Sequence, residues 1–204
     1  MLLLKVIVKI LSKVITMDSR IKILKFLLAK KEEKFTIKNI AESLKINYRT
    51  THEQVMKLEK EGIIKITKAG NYKICEFSYK FDSKVFEAEY LRRKELLKNK
   101  DFLIIHNRLA ELEFPFIALL FGSYAKGIER KHSDIDILTI GGDEKEIRAT
   151  ISLLPDKVHL TTVSYKNFIH MAKSKEFTVV SEAIKNNIIL IGAEEYYRLL
   201  KNVG

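Results

Sequence analysis

The 204-residue chain is poor in the residues that staple or interrupt a fold: one cysteine, two prolines, eight glycines, one glutamine and no tryptophan. A single cysteine, Cys75, excludes an intramolecular disulfide and a cysteine-built zinc site. It also points to a cytoplasmic location, where thiols stay reduced. Cys75 lies in a strand-like run and reads as a small core residue rather than a reactive thiol. No run reaches the ~20 apolar residues of a membrane span. The most apolar stretch, residues 1–15, is interrupted by Lys5, Lys9 and Lys13, so no membrane span is expected. It also lacks the unbroken apolar centre and the cleavage site of a signal peptide. Those lysines recur every four residues and share one helical stripe, with Leu3, Ile7, Ile10, Leu11 and Val14 opposite. Residues 1–16 therefore read as a helix or extension packed on the body or on a second copy of the chain in a homo-oligomer. A helix lying on a membrane surface is the alternative. Met17-Asp18-Ser19 looks like a fresh helix opening and is a second candidate start.

What the chain has is positive charge. It holds 37 Lys+Arg against 26 Asp+Glu, a formal +11, with 47% hydrophobic and 31% charged residues. That balance excludes disorder over the whole chain. The excess is not spread evenly. Residues 1–80 hold 18 Lys+Arg and 8 Asp+Glu, and residues 81–204 hold 19 and 18. The asymmetry implies two parts, the first of which meets a polyanion.

In the first part, Ile21, Leu24, Phe26, Leu27 and Leu28 follow the candidate caps Asp18 and Ser19 and predict a helix. Ile37, Ile40, Ala41 and Leu44 predict a second helix. Asn47 caps a third, with Thr51, Val55 and Leu58 on one face and Gly62 beyond its end. Residues 63–67 and 72–77 read as strands joined by Lys68-Ala69-Gly70-Asn71. Three helices and a hairpin in that order resemble the winged helix-turn-helix family over residues 17–79. The resemblance implies that the third helix enters the major groove of DNA, with Asn47, Tyr48, Arg49, Thr51 and His52 toward base edges. Lys57, Lys60, Lys65, Lys68 and Lys73 would then contact phosphates. The bland alternative is a protein-binding module with solvated lysines.

Residues 82–112 read as helical, one long helix or two. Phe86, Tyr90, Leu97, Ile104, Ile105 and Leu109 are the expected apolar contacts, with a hinge near Asn99-Lys100-Asp101 and a role as spacer or dimer contact.

In the second part, Pro115 precedes the apolar run 116–121, a buried strand. Gly122-Ser123-Tyr124-Ala125-Lys126-Gly127 follows, and then Asp134-Ile135-Asp136-Ile137-Leu138-Thr139-Ile140, a second strand. Alternation puts Asp134 and Asp136 on one side and Ile135 and Ile137 in the core. Two neighbouring carboxylates with no base between them persist most easily around a divalent cation. Backbone N–H groups at Gly122-Ser123, with the Ser123 hydroxyl, can hold phosphate oxygens.

Gly-Ser, ten residues and Asp-x-Asp resemble the nucleotidyltransferase superfamily that includes DNA polymerase beta, most closely its minimal nucleotidyltransferase branch, over residues 101–202. The resemblance implies transfer of a nucleoside monophosphate from an NTP, ATP being the expected donor. Gly122 and Ser123 would bind the triphosphate, and Asp134 and Asp136 would bind Mg²⁺. Lys126 and Arg130 are further phosphate candidates. Asp134, Asp136 and Ser123 are the catalytic candidates. Minimal nucleotidyltransferases often act as antitoxins that place AMP on a toxin of the helical HEPN family, and a DNA-binding part suits autoregulation.

One position departs from the family. A later strand commonly supplies a third carboxylate, and here residues 157–163 put His159 in that place. Asp156, before the strand and beside Pro155, does not substitute. Imidazole can accept a proton or bind a metal, and a structural histidine is the other reading. The alternative function is a transcription regulator whose weak or inactive transferase domain senses nucleotide. Modification of a small molecule ranks below both, because no segment is left for a substrate domain. The remaining stretches, 143–154, 165–174, 177–186 and 193–202, read as helices and 188–191 as a last strand. The expected class is α+β: winged helix-turn-helix at 17–80, helical connector at 81–112, and an α/β nucleotidyltransferase domain with a mixed sheet at 113–204.

Overall fold

The structure, a computed structural model, describes residues 18–31, 33–153, 158–174 and 176–203. The expectations for residues 1–16 and for Asp156 fall outside the described residues.

The N-terminal region is built as its caps and breakers dictate. The Asp18 carboxylate accepts from the Arg20 N–H and opens α1 (Ser19–Ala29). Thr36 ends a two-residue strand, β1 (Phe35–Thr36), and forms a capping box with Asn39 at the start of α2 (Ile37–Leu44). Lys45 turns the chain in the left-handed region at φ 52°, and Asn47 caps α3 (Tyr48–Lys60). Gly62, at φ 72°, lets the chain leave α3 for the hairpin β2 (Ile64–Ala69) and β3 (Tyr72–Phe77). The sheet order is β1-β3-β2, antiparallel throughout. Ile21, Leu24, Leu28, Ile40, Val55 and Leu58 are buried in its core, and so is Cys75. Burial pushes the Cys75 thiol up to about 11, as befits a core residue.

Residues 83–110 form two helices, α4 (Ser83–Leu96) and α5 (Lys100–Ala110), capped by Asp82 and Asn99. The break falls beside the expected hinge. A spacer role is not what the structure shows, because both helices are packed: α4 on α1 and on the last strand, α5 against the C-terminal sheet and its helix. Tyr90 and Ile104 are exposed, not contacts. Around Tyr90, α4 turns the polar groups Glu89 and Arg92 inward alongside Val85 and Ala88.

The C-terminal region comprises β4 (Ile117–Phe121), α6 (Gly122–Lys126), β5 (Ile135–Ile140), α7 (Glu144–Ser152), β6 (Val158–Val163), α8 (Tyr165–Lys173), α9 (Val179–Lys185), β7 (Ile188–Ile191) and α10 (Ala193–Lys201). The sheet is mixed, ordered β6-β5-β4-β7: β5 runs parallel to β6 and antiparallel to β4, and β4 is antiparallel to β7. Strand alternation divides the core. Ala118, Leu120, Ile135 and Ile137 pack under Phe102, Ile105 and Ile147 of α5 and α7. Ile117, Leu119, Phe121, Leu138 and Ile140 join a second cluster with Phe168, Val180, Tyr196 and Tyr197 that continues into the winged-helix core. The two regions thus share one apolar core.

A buried polar network lies on that border. Arg92 donates to Glu89 at 2.6 Å and to the Asn187 carbonyl at 2.7 Å. Tyr197 donates its hydroxyl to Glu89, Asn187 bonds the Tyr196 hydroxyl, and Lys31 reaches the Asn187 side chain at 3.2 Å. Among the described residues no helix is long and apolar enough to cross a membrane.

Candidate functional site

β4 is entirely buried and ends at Phe121, which pairs in register with Asp136. The chain then turns at Gly122, φ 70°, into the short helix α6. The turn lies directly under the Asp136 carboxylate. A Cβ at position 122 would overlap Asp136 Oδ2 and sit 3.1 Å from its Cγ and 3.3 Å from its Cβ. Glycine is required here twice, by the positive φ and by the carboxylate seated against its Cα. Ser123, partly exposed, is next, and its hydroxyl bonds no other group among the described residues.

Asp134 is exposed and precedes β5, which begins at Ile135. By alternation it shares the face of Asp136, while Ile135 and Ile137 enter the α5–α7 core as expected. Asp136 is half-buried, and burial holds its carboxyl above the usual carboxylate range. His159 pulls the other way through a hydrogen bond and its charge, and Glu182 and Asp134 add to the upward push.

His159 stands opposite Asp136 in the parallel β5–β6 register. Its Nδ1 lies 3.4 Å from Asp136 Oδ1, and its side chain is 69% exposed. His159 is therefore not buried in the core. The imidazole occupies the site side by side with the carboxylate.

Lys126, at the end of α6, is engaged internally: its Nζ lies 3.0 Å from Glu182 Oε1 on α9, 56 residues on in the chain. Arg130 is exposed. Its backbone N–H donates to the Ser133 hydroxyl in the turn before β5, and its guanidinium bonds no other described residue. Glu182 is the site residue that sequence reasoning missed. Nothing in the pattern of α9 distinguishes it from a surface glutamate, because only the folding of α9 over the Asp136 face of the sheet brings it close.

Among the described residues no three His, Cys, Asp or Glu side chains cluster closely enough to hold a metal alone. The donor set still fits Mg²⁺, which prefers oxygen ligands and is commonly bound by one or two carboxylates, with substrate phosphates and waters completing the shell. Burial and the neighbouring carboxylates disfavour the charged form of Asp136, and a cation bound beside it would favour that form.

The winged-helix face is more open. Tyr48 is 55% exposed and its ring lies 6.1 Å from that of His52, one turn on. Arg49 is exposed and pairs with Glu53 at 3.1 Å. Asn47 spends its side-chain oxygen on the Arg49 N–H as the helix cap. Thr51 is a correction: it is fully buried and its hydroxyl donates to the Asn47 carbonyl, so it does not face a groove. It lies on the inward stripe with Val55 and Leu58. Lys57, Lys60, Lys65, Lys68 and Lys73 are exposed. Lys57 lies near Asp18 and helps hold that carboxyl low, after the Arg20 contacts that offset its partial burial. Lys68 and Lys73 stand directly opposite each other across the hairpin. A cleft of about 900 Å³ runs between α2, α3 and the hairpin, with Lys38, Asn39, Tyr48, His52, Tyr72 and Lys73 in its walls.

Residues 104–196 match the family model described as polymerase beta, nucleotidyltransferase. Residues 18–65 match one described as winged helix-turn-helix, DNA-binding. No curated protein matches the chain. Of the solved structures, AF1382 from Archaeoglobus fulgidus is similar at 16% identity and a TM-score of 0.35, over 43% of this chain and 96% of its own. A structure described as a toxin-antitoxin with AMP-PNP is similar at 18% identity and a TM-score of 0.33, over 48% of this chain and 83% of its own. Both TM-scores are too low to carry any argument. With the fold, the two family matches lead to one statement: this chain joins an N-terminal winged helix-turn-helix DNA-binding domain to a C-terminal nucleotidyltransferase domain of the polymerase beta type.

Proposed function

We propose that the protein transfers a nucleoside monophosphate from an NTP, with ATP as donor, to a hydroxyl on a protein partner in a Mg²⁺-dependent reaction, and that the winged helix binds DNA. The observation that carries the reading is the seat of Asp136 on Gly122, which fixes a carboxylate beside the Gly-Ser turn. Gly122 and Ser123 hold phosphate oxygens through backbone N–H groups and the free hydroxyl. Arg130 adds positive charge, and Lys126, paired with Glu182, is a further phosphate candidate. Asp134 and Asp136 are the residues that would hold Mg²⁺. Bound there, it would neutralise the triphosphate and ease departure of pyrophosphate. The acceptor oxygen bonds to the α-phosphorus, the bond from that phosphorus to the β-bridging oxygen breaks with its electron pair leaving on pyrophosphate, and the acceptor's proton passes to solvent. The proposed partner is a HEPN-type toxin, which would make this chain an antitoxin that regulates its own operon; this step rests on the family resemblance.

The test is incubation with α-labelled ATP, Mg²⁺ and the candidate acceptor. Wild type labels the acceptor and releases pyrophosphate, and Asp136→Ala lowers transfer by roughly 10³-fold, the scale of losing a main electrostatic group of a transition state. Label that persists in Asp136→Ala sinks the reading. A second reading is favoured by His159 in the third-carboxylate position: a nucleotide-sensing regulator, in which ATP alters DNA binding and no pyrophosphate appears.

A further inference from the structure

We infer that Glu182 is a positioning residue of the transferase site: by holding Lys126 it sets how strongly, and with what dependence on a divalent cation, the site takes a nucleoside triphosphate. The inference rests on the transferase reading of the site.

The geometry begins with the ion pair that joins α6 to α9, Lys126 Nζ to Glu182 Oε1 at 3.0 Å, with both side chains about one-third exposed. A pair so placed is less screened by salt than one in open solvent. α6 is also the helix that starts at Gly122, against the Asp136 carboxylate, and carries Ser123. Glu182 thus faces the same small helix as the metal-binding candidates, from the opposite element. Its charge acts on Asp136 ahead of that of Asp134.

The backbone that carries this carboxylate is anchored. α9 opens on a capping box between Thr178 and Ser181, and Val180 and Ala183 are buried. Just past its end, Asn187 is fully buried and bonds the Ala183 carbonyl and the Tyr196 hydroxyl.

Two consequences follow for an incoming triphosphate. The ammonium of Lys126 is already neutralised, so phosphate oxygens must compete with an internal carboxylate for it. Glu182 also adds a third negative charge to Asp134 and Asp136, which repels the bare polyanion and is offset when a divalent cation accompanies it.

The experiment is calorimetric titration of the full chain with ATP, in EDTA and in Mg²⁺. Wild type, Glu182→Gln, Glu182→Asp, Lys126→Met and the Lys126→Met/Glu182→Gln double variant are compared after their folding is checked by circular dichroism. Glu182→Gln should bind ATP about fivefold more tightly than wild type in EDTA, the scale of one partly exposed charge pair. Its gain from Mg²⁺ should shrink. Glu182→Asp should stay close to wild type, and Lys126→Met should weaken binding in both conditions. The double variant should resemble Lys126→Met, because the effect of Glu182 runs chiefly through Lys126. Unchanged affinity in Glu182→Gln, or effects of the two substitutions that simply add, overturns the inference while leaving the transferase reading intact. Absence of ATP binding by wild type and every variant in Mg²⁺ overturns both.

Discussion

The two ends of this molecule use charge in opposite ways. On the winged-helix face the cations stand in water: Arg49, Lys57, Lys68 and Lys73 are exposed, and Lys68 faces Lys73 across the hairpin. A like-charge pair directly opposite is locally unfavourable in a sheet, so it is relieved when a polyanion arrives. In the transferase site the charges are few and of both signs, and the central carboxylate, Asp136, is partly desolvated. Asp136 is pushed up by burial, and Asp134 and Glu182 add to that. The first arrangement is a field made by the sum of many exposed groups, and no single lysine matters much. The second depends on placing three or four groups from distant parts of the chain within reach of one another, and moving any one changes it.

The border between the two is where the contrast breaks most sharply. Arg92→Leu leaves Glu89 buried without its guanidinium partner, and about 3–5 kcal/mol of stability is expected to be lost. Because one apolar core runs through both regions, denaturant unfolding should remain a single transition with a lower midpoint. Two separated transitions would show that the halves fold independently. The next largest effect is expected at Gly122→Ala. The new Cβ displaces the Asp136 carboxylate and imposes a left-handed φ on alanine, so nucleotide transfer should fall by roughly 100-fold, as expected for misplacing a reacting group by about an ångström. The circular dichroism spectrum should stay near wild type. On the basic face, the double change Lys68→Ala with Lys73→Ala should lower the slope of log affinity against log salt by about 2 in DNA binding, and weaken all duplex sequences alike. A loss confined to one sequence would move these residues from phosphate contacts to base reading.

A last effect concerns Lys31. Burial lowers its ammonium to about 8 from the ordinary 10.5. The folded chain gives up that proton before the unfolded chain does, so between about pH 8 and 10.5 the unfolded state binds more protons and stability rises with pH in that window. Thermal unfolding across this range should show wild type gaining stability relative to Lys31→Met as pH rises.

Much of this architecture is legible in the chain itself. Local rules set the caps at Asp18, Asn47 and Asp82, the stop at Gly62, and the strand Ile188–Ile191, because each depends on residues within a few positions. The Gly-Ser and Asp-x-Asp elements were visible for the same reason: one turn and one strand start carry them. Thr51 was half legible. Its i, i+4, i+7 spacing with Val55 and Leu58 marks the inward stripe, and that stripe overrode its place near the front of the third helix. Tyr90 and Ile104 misled because an apolar residue on a helix does not reveal which face the rest of the molecule covers. Here α4 turns Glu89 and Arg92 inward instead.

The sequence alone determined the two-part organisation, the location of the excess charge and the order of the strands along the chain, which follow from composition and from contacts between near neighbours. Gly122, Ser123, Asp134 and Asp136 were singled out through the motif resemblance. Tertiary structure alone decided that His159 stands beside Asp136, that Lys126 is held by Glu182, and that a buried ion pair lies between the two regions. Those pairings join residues 23, 56 and 3 positions apart. The first two depend on strand register and helix packing. The third, though local in the chain, depends on which side of α4 the second region covers. No periodicity records that, because the interactions that fix it come from the other end of the molecule.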